Sequence, residues 1–388
     1  MVKNKIKEMA ESELFKEVSN FMDENMELVV NEIKTISLIP SPSYEEDLKA
    51  DYVKKRFEEL DLHNIKVDQL KNVIGVINGE SDANFIICAH IDTVFDKVTP
   101  LIMKEEAGKL YCPSIGDNST SVAGMLILAE ALKSVDYVPP CNLIFVANSC
   151  EEGLGDLKGI KHLLGNIDNV KGMISIDGTM DKLVNEGIGS RRLKVEVNAA
   201  GGHSWGNFGN SSAIHAIGGA ISKISRIEVP NDPKTSFNIG TINGGTSVNT
   251  IAESAQMLVD IRSMDGDLLR STEKKIRELI NNAMDEHKTN SIIEVVGDRP
   301  SGKLLEDHFM VQSVLESARL FDVQMDLNPS STDSNIPLSM GIPSITFGVY
   351  KGDGAHTIKE YIEPGSLKTG LPILALSVLS ILDKIGKT

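Results

Sequence analysis

The sequence predicts an α/β fold: a mostly parallel sheet flanked by helices, with an inserted ferredoxin-like βαββαβ domain. Apolar runs of strand length alternate with stretches of helical length in the two terminal parts of the chain. Such alternation is typical of a parallel sheet with helices on both faces. The middle part has the order strand, helix, strand, strand, helix, strand, which is that of a ferredoxin-like module. At 388 residues the chain is longer than one core usually serves.

The N-terminal part begins with two predicted helices, residues 13–36 and 45–60, which carry apolar residues at helical spacing. The cluster Pro40, Ser41 and Pro42 separates them because proline interrupts a helix. The next predicted elements are strands 67–77 and 84–89, helix 119–132, strand 141–148, helix 159–164 and strand 172–176.

The pattern changes near residue 182, where we expect the inserted domain to begin. Its predicted elements are strand 193–198, helix 211–224, strands 236–242 and 252–263, helix 268–287 and strand 291–296. We expect residues 297–300, with the sequence GDRP, to form a hinge back to the first domain, followed by helix 307–321, strand 342–349 and a C-terminal helix. We therefore expect one domain over residues 1–182 and 302–388 and an inserted domain over residues 183–301.

Composition and charge indicate which partners the protein is expected to bind and in which cellular compartment it is expected to work. The chain has 39 Lys and Arg against 55 Asp and Glu, a formal net charge of −16. This excess repels phosphate backbones and anionic membrane surfaces, so we expect neither nucleic acid nor membrane as a partner. The longest apolar stretch, residues 371–382, is shorter than the ~20 residues of a membrane span. Four cysteines without a CxxC pair, and no visible secretory signal, favour a cytoplasmic location.

Seven polar residues follow strand-like runs or lie in glycine-rich turns. Residues in these positions converge at one edge of an α/β sheet, where such folds bind their ligands. Imidazole and carboxylate ligands without thiolate suit Zn²⁺, Co²⁺ or Mn²⁺, and a carboxylate shared by two ions permits a dinuclear centre. The prediction depends on the whole set, which is His90, Asp92, Asp117, Glu151, Glu152, Asp177 and His356.

Individual members of the set also have simpler interpretations. His90 and Asp92 could be a solvated pair at a strand end, although side chains two apart on a strand share one face. Asp117 could cap the helix that follows it. Glu151 and Glu152 could be a solvated pair in a loop. Adjacent carboxylates raise each other's pKa unless a cation lies between them, which favours one metal ligand and one proton acceptor.

The motif order HxD, GDN, EE, D, GGH, GGTSVN and GAH resembles that of the cocatalytic zinc exopeptidases and deacylases. That family includes peptidase T, glutamate carboxypeptidase, acetylornithine deacetylase and succinyl-diaminopimelate desuccinylase. The resemblance implies that His90 and Asp177 hold one metal ion and that Glu152 and His356 hold the other. It also implies that Asp117 bridges the two ions.

The resemblance implies further roles. Glu151 would be the general base and then the general acid, with Asp92 as a carboxylate behind the metal ligands. The inserted domain would be a lid and dimerisation domain from which His203 reaches the substrate carbonyl, in dimeric members from the neighbouring subunit. Asn249 and Arg262 match positions that contact the substrate. From the residues alone, His203 could be a loop histidine, Asn249 a turn residue and Arg262 an ordinary charge at a strand end.

Two motifs depart from the common family forms, namely GDNST after the bridging position and GGHSW around His203. These departures bear on the substrate rather than on the metal site. In the family that the chain resembles, members with an aspartate at the position of Asp177 tend to be peptidases. We therefore expect a dinuclear zinc metallohydrolase, a homodimer that cleaves an amide bond of small peptides as an exopeptidase. The alternatives are an N-acyl amino acid deacylase and a non-catalytic metal or peptide-binding module, which would be expected to lack Glu151.

Overall fold

The computed structural model describes residues 2–387, and the chain divides into two compact units. Unit 1 comprises Met1–Gly187 and Lys303–Thr388, and unit 2 comprises Ile188–Gly302. The sequence placed these borders at 182/183 and 301/302. The first border lies later because Lys182–Val184 is a strand that pairs with Ser344–Phe347 in the large sheet of unit 1.

Helices and strands are numbered along the whole chain. The helices of unit 1 are α1 (Val2–Glu11), α2 (Glu13–Glu24), α3 (Met26–Ser37), α4 (Asp47–Glu59), α5 (Ser121–Ser134), α6 (Lys158–Leu164), α9 (Phe309–Leu320), α10 (Asn335–Ser339) and α11 (Leu367–Ile385). Its strands are β1 (His63–Val67), β2 (Val73–Ile77), β3 (Asn84–His90), β4 (Lys104–Glu106), β5 (Lys109–Tyr111), β6 (Asn142–Asn148), β7 (Val170–Ile176), β8 (Lys182–Val184), β9 (Glu186–Gly187), β17 (Asp326–Leu327), β18 (Ser344–Phe347), β19 (Lys351–Asp353) and β20 (Tyr361–Glu363), with β16 (Gly302–Lys303) at the border.

An eight-stranded sheet forms the centre of unit 1, in the order β1-β2-β6-β3-β7-β18-β8-β17. The four central strands, β6, β3, β7 and β18, are parallel to one another. The hairpin β1–β2 and strand β8 add antiparallel pairs at the two sides. A smaller antiparallel sheet, β19-β20-β5-β4, was not predicted because its strands have only three residues each.

The central strands are buried on both faces. In β3, Phe85 and Ile87 belong to the core that includes α5 and α11, whereas Ile86 and Cys88 point into a second core with Ile160 of α6. Successive side chains of a strand point to opposite faces, so helices cover both sides of the sheet. The predicted α/β class is confirmed.

Two predicted elements of unit 1 are divided in the structure. The predicted helix 13–36 is interrupted at Asn25, whose backbone N–H and side-chain amide both donate to the carbonyl of Phe21. The predicted strand 67–77 is the hairpin β1–β2. Its turn forms because the Asp68 carboxylate accepts hydrogen bonds from the backbone N–H groups of Leu70 and Asn72.

The C-terminal helix α11 is longer than the predicted apolar stretch. By length and composition, Pro364–Ile385 could cross a membrane, but 78% of its apolar window is buried inside the protein. It packs against α1, α2 and α9. It therefore has the environment of a core helix.

Unit 2 is a four-stranded antiparallel sheet with two helices packed on one of its faces. The sheet order is β12 (Thr235–Gly244), β14 (Ser254–Ser263), β10 (Gly189–Asn198) and β15 (Asn290–Arg299), and the helices are α7 (Ala213–Ile224) and α8 (Gly266–His287). Strands β11 (Gly202–His203) and β13 (Thr250–Ile251) pair with each other in a small ribbon.

Candidate active site

The carboxyl ends of three parallel strands bring chemistry-bearing residues of unit 1 to one edge of the sheet. His90 is the last residue of β3 and lies in register with Asn148, the last residue of β6. Glu151 and Glu152 follow β6, and Asp177 follows β7, the other neighbour of β3. Residues of separate motifs in the sequence are thus brought together in a cluster, at the edge where open α/β sheets bind ligands.

Asp117 lies between the two histidines of this cluster. Its Oδ1 is 3.0 Å from His90 Nε2, and its Oδ2 is 3.0 Å from His356 Nε2. Asp177 Oδ1 is 3.9 Å from His90 Nε2, and Glu152 Oε1 is 2.9 Å from His356 Nε2. The five side chains therefore form two groups, His90 with Asp177 and His356 with Glu152, that share the carboxylate of Asp117.

The donor set fits a divalent metal ion. His90 Nε2 and Asp117 Oδ1 are buried and lie 3.0 Å apart, and among the residues that the structure describes neither atom has a hydrogen-bond partner outside this pair. Ligand atoms of His90, Asp117 and Glu152 all lie within 4.8 Å of one another. Two imidazoles and three carboxylates suit Zn²⁺, Co²⁺ or Mn²⁺. Burial raises the pKa of the neighbouring thiols, Cys88 and Cys150.

Asp92 holds the backbone around this donor set. Its carboxylate is fully buried and accepts hydrogen bonds from the backbone N–H groups of Glu151 and Glu152, both at 2.9 Å, and from Ser43 Oγ at 2.6 Å. The ring Nδ1 of His90 lies 3.1 Å from the main-chain carbonyl oxygen of Asp92. A proton on Nδ1 is therefore satisfied there, which leaves the lone pair on Nε2 for a metal ion.

The side chains of the cluster shift one another's pKa values. Burial, and then the charge of Asp117, raise the pKa of Asp177 to about 7. Hydrogen bonds to Asp117 and Glu152 raise the pKa of His356 to about 11. Burial opposes ionisation of Asp117, but hydrogen bonds from His356 and His90 outweigh it and lower the pKa of that carboxyl. Closely spaced carboxylates are stabilised by positive charge, which a divalent ion would supply.

Glu151 is the neighbour of this set that does not belong to either group of donors. Its residue is 6% exposed, and its backbone N–H is held by Asp92 next to that of Glu152. A carboxylate beside a metal site can accept and return a proton.

A cavity of about 640 Å³ opens beside Asp117 and Asp177. Its lining includes hydroxyl and charged side chains, among them Thr332, Tyr350 and Lys351. Such a cavity is large enough for a small ligand.

Two buried charged residues beside the cluster, Glu360 and Lys49, were missed by the sequence analysis. Glu360 follows His356 by four residues and is 2% exposed. Lys49 is 1% exposed, and burial lowers its pKa to about 8 against the opposing charge of Asp92. In the sequence, both Glu360 and Lys49 lie among other polar residues, so only their burial in the structure distinguishes them from surface charges.

The ribbon β11–β13 of unit 2 brings His203 and Asn249 together. His203 pairs with Thr250, and the backbone N–H of the following residue donates to the Asn249 carbonyl at 3.0 Å. His203 Nδ1 accepts hydrogen bonds from the backbone N–H groups of Trp205 and Gly206, at 3.2 and 3.3 Å. The ring proton of neutral His203 is therefore on Nε2, which makes this exposed atom a hydrogen-bond donor.

Arg262 does not join this ribbon. Strand β14 begins at Ser254, just after β13, and Arg262 lies near its other end. The eight residues between them correspond to roughly 27 Å of extended strand. Arg262 Nε donates to Asp260 Oδ2 at 2.8 Å on the same strand.

Residues 86–380 match peptidase family M20/M25/M40. The chain belongs to this family, and the resemblance inferred from its motifs is confirmed. Together with the His, Asp and Glu cluster, membership indicates a metal-binding protein.

Among its relatives, the chain is 25% identical over 329 residues to a succinyl-diaminopimelate desuccinylase of Corynebacterium glutamicum, covering 82% of this chain and 87% of that protein. It is 27% identical to a probable carboxypeptidase of Ajellomyces dermatitidis over 55% of this chain, and the match spans about half, 53%, of that relative's length. The fold is similar to that of a tripeptidase from Staphylococcus aureus, with a TM-score of 0.76 and 22% identity over 94% of this chain and 99% of that one.

Proposed function

We propose that this protein is a dinuclear zinc metallohydrolase that cleaves an amide bond in small peptides, as an exopeptidase. The observation that carries the proposal is the position of Asp117, whose two carboxylate oxygens each lie 3.0 Å from a different imidazole Nε2. A carboxylate placed in this way can join two ions. Membership of a peptidase family supports the hydrolytic activity.

His90 and Asp177 would hold one ion, and Glu152 and His356 would hold the other, with Asp117 between them. Two bound zinc ions would polarise the scissile carbonyl and lower the pKa of water towards ~7. Cobalt or manganese would suit the same donors. The buried Asp92 carboxylate keeps the donors in place because it accepts hydrogen bonds from the backbone N–H groups of Glu151 and Glu152.

Glu151 would take a proton from the attacking water and return it to the leaving amine nitrogen. His203 would donate from Nε2 to the carbonyl oxygen as negative charge develops there, and its Nδ1 contacts already select the required tautomer. Asn249, next to His203 on the ribbon, would contact the substrate. We leave Arg262 outside this set because its guanidinium pairs with Asp260 at the far end of β14.

A deacylase of N-acyl amino acids is the second candidate. The match to a desuccinylase spans 87% of that relative's length, whereas the match to the probable carboxypeptidase spans about half, 53%, of that protein. The structural likeness to a tripeptidase and the aspartate at position 177 favour a peptide substrate. The two reactions share one mechanism, because both break an amide bond.

We extend the proposal to the cellular location and the oligomeric state of the protein. Its four cysteines are free and buried, which supports a reducing compartment, and we place it in the cytoplasm. We propose a homodimer in which unit 2 supplies dimerisation and closes over the substrate.

Metal content and hydrolysis measured on the same preparation test this proposal. We expect two ions per chain and hydrolysis of some members of a panel of di- and tripeptides, with weaker or no hydrolysis of N-acyl amino acids. The control is Glu151→Gln, which should bind the ions without hydrolysis. Metal-loaded protein without hydrolysis of any panel member would instead support a binding module, and faster hydrolysis of acyl amino acids would support the deacylase.

A further inference from the structure

Glu360 accepts three hydrogen bonds from the backbone of the segment that carries Asp117. Its Oε1 accepts from the N–H groups of Gly116 and Asp117, at 2.8 and 2.7 Å. Its Oε2 accepts from the N–H of Ser114 at 2.8 Å. A single buried carboxylate therefore satisfies three of the four N–H groups between residues 114 and 117.

The segment is shaped to receive a carboxylate. Ser114 has a φ of 60°, in the left-handed region, and successive N–H groups in such a turn point to one side and form an anion-binding concavity. At Gly116, a Cβ would lie 2.9 Å from Glu360 Oε1 and would also collide with the Tyr350 hydroxyl. A larger residue here would have to displace the Tyr350 hydroxyl and the Glu360 carboxylate, which both lie close to the backbone.

Glu360 also belongs to the turn that carries His356. Within this turn, the Thr357 N–H donates to the Gly354 carbonyl, and the Glu360 N–H donates to the Thr357 carbonyl. His356 Nε2 lies 3.0 Å from Asp117 Oδ2. This turn thus contacts Asp117 twice. The His356 imidazole contacts the side chain of Asp117, and the Glu360 carboxylate contacts the backbone N–H of Asp117.

We propose that Glu360 is a positioning residue of the metal centre, which holds the bridging carboxylate of Asp117 at a set distance from His356. This inference rests on the proposed function. Glu360 does not contact the substrate or an ion in this arrangement, and it acts through the backbone of Asp117. Residues that orient metal ligands are typically worth about 10- to 100-fold in metal affinity or activity.

The test is Glu360→Gln, in which one carboxylate oxygen becomes an NH₂ group that faces backbone donors. We expect metal affinity to fall about 10- to 100-fold, measured by competition with a chelator of known affinity. At limiting Zn²⁺ the turnover number should fall while the Michaelis constant changes little, and excess Zn²⁺ should restore much of the activity. A merely structural role would not produce rescue by the metal.

Glu363→Gln is the matched control. It neutralises a carboxylate three residues further on, whose contact is an ion pair with Lys109 at 3.6 Å, and should leave metal affinity unchanged. Circular dichroism and cooperative melting of the metal-free variants monitor the fold. If Glu360→Gln does not fold, Glu360→Asp serves instead, because it keeps the charge but is one methylene too short for all three N–H groups.

Wild-type metal affinity in a folded Glu360→Gln or Glu360→Asp protein would overturn the positioning role. Failure of the proposed function would look different, because wild-type protein itself would then lack two ions or hydrolytic activity.

Discussion

Two regions proposed to act in the same reaction differ in how firmly the protein holds them. In the donor cluster of unit 1, His90 and Glu152 are buried, Asp117 and Asp177 are half-buried, and His356 is exposed. Asp92 and Glu360 fix the backbone of this cluster through five hydrogen bonds from N–H groups. The His203 ribbon of unit 2 is exposed, and the neighbouring Trp205 and Phe208 are 88% and 90% exposed. Hydrogen bonds from the backbone N–H groups of Trp205 and Gly206 orient the imidazole, and the backbone N–H of His203 donates to Asn207 Oδ1.

The difference indicates a division of labour. A buried, hydrogen-bonded cluster is organised before any ligand arrives, which is what a metal centre requires. An exposed histidine among exposed aromatic side chains gains contacts only when a substrate or a second subunit covers it. Changes in unit 1 should therefore affect metal binding and the chemical step, whereas changes in the ribbon should affect only the chemical step and ligand binding.

Glu151→Gln should have the largest effect on turnover while leaving the ions in place. The amide cannot accept a proton, and a general base is typically worth ~10²- to 10⁴-fold. The matched variant is Glu152→Gln, one residue away, which should lose metal because Glu152 contacts His356. Equal metal loss in both variants, or near wild-type turnover in metal-loaded Glu151→Gln, would remove the distinction between the two carboxylates.

His203→Ala should lower the turnover number by roughly 10²- to 10³-fold, as expected for the loss of an oxyanion donor. Metal content and melting temperature should not change, because His203 is exposed and lies in unit 2. His215→Ala, an exposed histidine on α7 of the same unit, is the control. An unchanged turnover number in His203→Ala would exclude a catalytic role.

Mixing the two inactive variants tests whether His203 acts across a dimer. A hybrid of one His203→Ala subunit and one Glu151→Gln subunit contains one intact composite site if the histidine is donated in trans. Activity should then return on mixing. Its absence, with subunit exchange demonstrated by differently tagged chains, would place His203 in its own subunit's site.

The metal-free protein should lose stability as the pH rises. Asp177 and His356 have folded pKa values raised to about 7 and about 11, so the folded chain binds more protons than the unfolded chain. Stability from such groups is present below their unfolded pKa values, ~3.9 and ~6.5, and is lost as pH rises through the folded values. Melting temperatures of chelator-treated protein should therefore fall between pH 5 and 9.

Two comparisons sharpen this prediction. Asp177→Asn should flatten the decline between pH 5 and 7, because it removes the group that titrates there. The stabilisation by added Zn²⁺ should increase with pH, since bound ligands must be deprotonated. A metal-free melting temperature that rises over this range would contradict the charge distribution described for the cluster.

Ligand binding should produce a small spectroscopic effect in the ribbon. Trp205 is the only tryptophan in the chain, and it is two residues from His203. A slowly hydrolysed peptide added to Glu151→Gln should shift the emission to shorter wavelength, because the ligand covers an exposed indole. Emission that does not change at saturating peptide would separate the ribbon from the substrate site.

Much of the fold and of the donor cluster could be predicted because strand ends carry the residues. Three of the four central strands, β3, β6 and β7, are apolar runs that stop at a charged or polar position, and parallel pairing brings those ends together, as for His90 and Asp177. The role of Glu360 could not be predicted in this way. Its partners are backbone N–H groups, which every residue except proline has, so no side-chain pattern marks them.

Other differences also arise from local hydrogen bonds. Asn25 interrupts a helical pattern through bonds to Phe21, and the Asp68 turn converts one predicted strand into a hairpin.

The stoichiometry of bound metal in Asp117→Ala and His356→Ala tests the central claim most directly. After dialysis, wild-type protein should keep two ions per chain. Asp117→Ala should lose metal from both positions because the shared carboxylate is gone, whereas His356→Ala should mainly weaken one. Two ions retained by folded Asp117→Ala would contradict a bridging carboxylate and, with it, the dinuclear centre described above.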